Sequence, residues 1–156
     1  MAHCYPTPSR SVRAPSPHHV NPAFLHSNLT ERVIAAFYAE YDELGFGFLE
    51  SNYKAGLEYL LISEGLEVER EVPIDVRFRA WSIGRYRMDM VVEDRVVVEV
   101  KSTELLAPTS ERQLLNYLRA TSYEVGLLLH FGPKPAFRRL VLTNDRKRQT
   151  TPTSQH

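Results

Sequence analysis

Up to Gly65 the apolar side chains recur at helical intervals, and beyond it they alternate with polar ones. Asn28 or Thr30 can cap a first helix that runs through Glu31 and Tyr38 and stops near Gly45. A second helix is predicted over residues 48–64, with Leu49, Tyr53, Leu57, Leu60 and Leu61 on or near one stripe and Gly65 as its stop. The period then becomes two, which predicts strands over 66–72 and 74–81, a turn at Ser82-Ile83-Gly84, and strands over 86–92 and 96–101 around the polar turn Glu93-Asp94-Arg95. Pro108 and Thr109 open a third helix that extends to about Thr121, followed by a short buried-type strand over 125–131 and a last strand over 137–142. A helix between two strands implies a crossover, so the strands ending at Lys101 and beginning at Val125 are expected to be parallel with a right-handed connection. The order of elements predicts an α/β fold of α+β character, with an antiparallel meander built into a mixed sheet.

Composition narrows this picture. With 156 residues and 43% hydrophobic content, the chain suits one domain with a real core. The leader, residues 1–27, is acid-free and carries Pro6, Pro8, Pro15, Pro17 and Pro22, so it is expected to be disordered; residues 144–156 read as a disordered basic and polar tail. The domain between them, 28–143, is mildly acidic, which argues against broad attraction to nucleic-acid phosphate but leaves room for local basic clusters such as Arg77, Arg79, Arg85 and Arg87. Cys4 is the one cysteine, so neither a disulfide nor a thiolate zinc site can form within the chain. There is no apolar run of transmembrane length, and a cytoplasmic protein without membrane partners is the default expectation.

Three charges interrupt the most hydrophobic strand pair. If the hairpin closes over Glu93-Asp94-Arg95, Val92 faces Val96, Val91 faces Val97, and Asp89 lies across from Glu99. Alternation then puts Asp89, Glu99 and Lys101 on one face with Val91 and Val97. Burying such groups costs several kcal/mol each, roughly, unless they pair or bind a metal. Two hard-oxygen acids beside a lysine are the residue types of metal-dependent phosphodiester cleavage: the acids suit magnesium or manganese, and the lysine can hold the attacking water or stabilise developing charge. Asp with Glu-x-Lys alone is a weak motif, and a carboxylate paired with a lysine at a strand end accounts for it equally well.

Two further elements raise the specificity. Gln113 and Tyr117 stand four residues apart on one face of the third helix, directly after the strand of Lys101, an arrangement similar to the Gln-x-x-x-Tyr element of RecB-type nucleases. With Asp89 and Glu99-Val100-Lys101, the chain resembles the PD-(D/E)XK nuclease superfamily, whose fold is a central mixed sheet of four to five strands flanked by helices. From about Val33 to Val141 it resembles the GxxExxY family, through Gly47-Phe48-Leu49-Glu50-Ser51-Asn52-Tyr53. Tyr41, Phe46 and His130 depart from that family's usual histidine, proline and asparagine. The resemblance implies a magnesium- or manganese-dependent nuclease acting on nucleic acid, with DNA the expected substrate. It makes Asp89 and Glu99 the principal metal ligands, the Val100 carbonyl a further one, Glu50 a metal-binding acid, Lys101 the catalytic lysine, and Gln113 and Tyr117 the groups that orient the lysine or contact the substrate. Read without it, Glu50 is a solvated acid at a helix start, and Tyr53 and Tyr117 are half-buried aromatics. A non-catalytic nucleic-acid or protein interaction module that keeps the nuclease fold is the alternative. A homodimer would suit cleavage of both strands of a duplex.

Overall fold

A computed structural model describes residues 21–149. Most of the expected leader and the end of the expected tail lie outside those residues. Of the parts inside, Pro22–Phe24 forms a 3-10 turn capped by the Asn21 side chain, and Asn144–Gln149 forms a short helix.

The helices are α1 (Ser27–Leu44), α2 (Glu50–Ser63), α3 (Pro108–Ala120) and α4 (Asn144–Gln149); the strands are β1 (Val68–Phe78), β2 (Trp81–Val92), β3 (Val96–Lys101), β4 (Val125–Phe131) and β5 (Pro135–Val141). The five strands make one mixed sheet in sequence order, with β3 and β4 parallel and the other neighbours antiparallel. The expected fold class is therefore observed, with five strands. Among the described residues no helix is long and apolar enough to cross a membrane.

Alternation along the sheet divides the core in two. Val96, Val98 and Val100 of β3 pack with Leu127 and Leu129 of β4 against Phe37 of α1 and Tyr53, Leu57 and Leu61 of α2. On the other face Val91, Val97 and Leu128 meet Leu114, Tyr117 and Leu118 of α3. Burying side chains of this size stabilises by about 1.5–3 kcal/mol each, which makes these two layers the main source of stability. Gly126 lets α3 approach β4 closely, because a Cβ there would meet Leu114 Cδ1 at 2.8 Å.

Two local expectations are corrected. Pro73 does not break the strand: β1 runs through it, which it can do because β1 is an edge strand and needs no amide donor on its outer side. The hairpin turn falls at Arg79-Ala80 rather than Ser82-Ile83-Gly84, since Arg79 takes the left-handed conformation (φ 55°) and Phe78 pairs directly with Trp81. Gly84 instead sits within β2, opposite Val76 beside a bulge.

The helical layer hides one acid. Glu40 of α1 is 4% exposed and its carboxylate oxygens have no hydrogen-bond partner. It fits only because Gly56 of α2 faces it, where a Cβ would collide with Glu40 Oε1. Burial raises its pKa from 4.5 to about 8. Folding therefore keeps a proton that the unfolded chain releases above about 4.5, and the associated stability, fully present below that value, is lost as pH rises through about 8. Glu40→Gln removes this dependence. Urea titrations of parent and variant should show their stability difference moving in the variant's favour by about 1–4 kcal/mol between pH 5 and pH 8, at about 1.4 kcal/mol per pKa unit; parallel curves would disprove the assignment.

Candidate active site at a fork in the sheet

The hairpin register is the one its turn predicts, with Val92 opposite Val96, Val91 opposite Val97 and Met90 opposite Val98. Glu93 and Asp94 both adopt left-handed backbone (φ 54° and 51°) and so close the turn. Regular pairing of β2 with β3 ends at Met90 and Val98, one step before Asp89 and Glu99. Beyond that point the side chains replace the ladder. The Asp89 amide donates to Glu99 Oε1 at 2.9 Å, and the Val100 amide donates to Asp89 Oδ2 at 2.8 Å. Each acid thus accepts a main-chain hydrogen bond from the opposite strand. The two bonds hold both carboxyl groups where the strands part.

Asp89 and Glu99 are 8% and 3% exposed. Burial and then the Asp89 charge push Glu99 up to about 8. Lys101 stands half-buried on the same strand, close enough to Glu99 for its charge to act in the opposite direction. Over the pair lies Tyr117, whose hydroxyl accepts a hydrogen bond from Gln113 Nε2 at 2.8 Å; burial, then the charges of Glu99 and Asp89, push it up to about 12. The Gln-x-x-x-Tyr spacing therefore joins its two residues to each other and places both on the wall of a cavity of about 1050 Å³ that also reaches Lys101.

Glu50 is brought to the site through an intermediary that sequence reasoning did not find. Lys54, one turn further along α2, contacts Glu50 Oε1 at 3.1 Å and Asp89 Oδ1 at 2.6 Å. Burial lowers its pKa, but the hydrogen bonds to Asp89 and Glu50 outweigh that effect and leave it raised. The only trace of this role in the sequence is the four-residue spacing from Glu50, which ordinarily marks a surface helix pair.

The loops around the site are latched to it. Tyr53 is fully buried, stacks on Phe131 with ring centroids 4.1 Å apart, and donates its hydroxyl to the Gly45 carbonyl at 2.5 Å. It thereby shapes the loop before Glu50. Ser102 donates to the Phe48 carbonyl at 2.9 Å, which ties that loop to the end of β3. His130 Nε2 lies 2.7 Å from the Thr103 carbonyl, and Tyr41 donates to the Gly132 carbonyl at 2.7 Å.

The donor set suits a hard divalent cation. Two buried carboxyl groups adjoin, and Asp89 and Glu50 already converge on one cationic centre, the Lys54 ammonium. Among the described residues no three His, Cys, Asp or Glu side chains form a ready-made metal cluster, and Lys54 stands between Glu50 and Asp89.

A family model for the PD-(D/E)XK nuclease superfamily matches residues 27–140, from the first turn of α1 nearly to the end of β5. Among solved structures the chain is similar to one titled "Crystal structure of SSO0001", at 23% identity, with 81% of this chain and 64% of that chain covered and a TM-score of 0.47. The chain thus spans less than two-thirds of that structure's length. No curated protein matches.

If the Lys54 ammonium holds the place between the acids, Lys54→Met should lower stability in EDTA by about 1–3 kcal/mol, the cost of leaving buried acceptors unpaired. Manganese should then raise the melting temperature of the variant more than that of the parent. Calorimetry should show tighter manganese binding to the variant; equal affinity for both proteins would rule out the competition.

Proposed function

Because the chain belongs to the PD-(D/E)XK nuclease superfamily, we propose that it is a metal-dependent nuclease that hydrolyses phosphodiester bonds of nucleic acid, with DNA as the substrate. The carrying observation is the fork, where Asp89 and Glu99 are each fixed by a main-chain amide beside Lys101. Within the superfamily we assign it to the GxxExxY family through Gly47, Glu50 and Tyr53, and we take residues 28–143 as the nuclease unit.

Asp89 and Glu99 would hold the cation, with the Val100 carbonyl beside them and Glu50 as an outer acid. When bound, magnesium or manganese supplies neutralisation of phosphate charge and a lower pKa for water. The chain's own groups do the rest. Lys101 orients the attacking water and balances the negative charge that grows on the phosphate oxygens while the new P–O bond forms and the ester P–O bond breaks. The attacking water gives its proton to solvent, and the leaving oxygen is protonated from solvent. Tyr117, kept protonated by its raised pKa and held by Gln113, offers a neutral donor to the substrate backbone. The apolar layers behind the fork keep bulk water from screening these charges.

A second reading has one observation in its favour. Lys54 already satisfies Asp89 and Glu50, so the domain could bind nucleic acid without metal and without cleaving it. Labelled single- and double-stranded DNA and RNA, incubated with magnesium, manganese or EDTA, separate the two. Cleavage should require metal, and Asp89→Ala and Lys101→Ala should each reduce it by at least about a hundredfold, the scale of losing a group that stabilises transition-state charge. Lys101→Ala should melt near the parent because the side chain is only half-buried. Undiminished cleavage by Lys101→Ala would reject the mechanism, and metal-independent binding without cleavage would favour the second reading.

A further inference from the structure

The β1–β2 hairpin is much longer than the sheet that carries it. Strand β2 pairs with β3 only at Met90, Val91 and Val92, so the stretch from Trp81 to Asp89, roughly 25 Å at the usual rise per residue, has no regular pairing with β3, and its outer part runs on beyond Lys101. Its base packs on α3 through Ile74 and Met88. Among the described residues its tip stands exposed: Phe78 is 61% and Trp81 78% exposed, and Ile83 is likewise exposed. Phe78 and Trp81 are direct cross-strand partners, which puts both rings on the same side of the ribbon. Four arginines, 77, 79, 85 and 87, stand exposed along the hairpin with Asp75, which pairs with Arg77, as the sole acid from Val72 to Met88, in a domain that is acidic overall. The Arg79 guanidinium already lies over the Phe78 ring, 5.5 Å from its centroid. Between the tip and the fork runs the cavity described above, with Asp75, Val76 and Arg77 on its hairpin side and Lys101, Arg112 and Arg119 on the other.

We infer that the hairpin tip is a base-stacking platform for single-stranded or frayed DNA, with Phe78 and Trp81 receiving bases while the backbone runs along the arginine-lined cavity toward Lys101. This rests on the nuclease reading and adds to it the form of the substrate. Exposed aromatic faces stack on bases whose own faces are open, which a strand offers and an intact duplex does not. The arginines supply the matching charge for phosphate. A second copy of the chain is the poorer occupant, since it would bring two positive hairpins together.

Trp81 is the chain's one tryptophan, so its fluorescence reports on the tip alone. The full chain in EDTA is titrated with oligothymidylate, oligouridylate and a blunt duplex, and binding is followed in parallel by anisotropy of the labelled oligonucleotide. Oligothymidylate should quench Trp81 saturably, oligouridylate more weakly, and the duplex little. The Phe78→Ala/Trp81→Ala double variant, altered only at exposed positions, should bind oligothymidylate at least about tenfold more weakly by anisotropy, as expected for lost base stacking. Binding without quenching, unweakened binding by the double variant, or stronger quenching by the duplex or oligouridylate would overturn the platform while leaving the nuclease reading standing. Absence of binding to any nucleic acid in EDTA would overturn the platform, while the nuclease reading is judged separately by the cleavage assay with magnesium or manganese. Trp81 fluorescence that changes with protein concentration alone, together with a dimer in sedimentation, would assign the tip to self-association and overturn the proposal.

Discussion

Buried carboxylates must find donors, and in this protein the donors are the sheet's own amides. Asp89 and Glu99 take the hydrogen bonds that β2 and β3 stop giving one another, so one constraint ends the strand pairing, fixes the acids and leaves Lys101 beside them. An apolar pair at these positions would leave the Asp89 and Val100 amides without those acceptors. The charges are therefore part of the sheet's hydrogen bonding as well as of its chemistry.

Much of this arrangement was legible in the sequence. The three polar residues Glu93-Asp94-Arg95 between two valine-rich runs set the register, and alternation put Val91 and Val97 on one face, but it fails at Asp89, where Met88 joins Val91 on the α3 side and Asp89 reaches Lys54 of α2. The parallel crossover followed from a helix lying between two strands. What alternation could not supply was the loss of pairing at Asp89, because pairing and parting strands have the same pattern of apolar residues. Lys54 escaped for a different reason: a lysine four residues after a glutamate on a helix is commonplace, and only the three-dimensional approach of α2 to β2 turns it toward Asp89. The shift of the hairpin turn to Arg79-Ala80 depended on a non-glycine residue in the left-handed region, which composition alone disfavours. Pro73 misled because its tolerance in a strand depends on edge position, a property of the whole sheet.

Tyr41 and His130 also have structural work. Tyr41 reaches 2.7 Å to the Gly132 carbonyl at the β4–β5 turn, and His130 holds the chain just after Lys101 through Thr103. With Tyr53 on Gly45 and Ser102 on Phe48, these bonds join the α1–α2 loop, the end of β3 and the β4–β5 turn into one supported rim. Precise placement of Glu50 and Lys101 thus draws on side chains that do not touch the fork.

A fork inside a sheet is also an internal edge. Strands that part expose main-chain donors to which a stray chain could add, the hazard that proteins ordinarily meet with charged or shortened outer strands. Here the amides of Asp89 and Val100 are already engaged by buried side-chain acceptors that a foreign strand would have to displace. The same two hydrogen bonds that fix the acids thus leave this internal edge with no free donor at either amide, so the strands can part there without offering a template for another polypeptide.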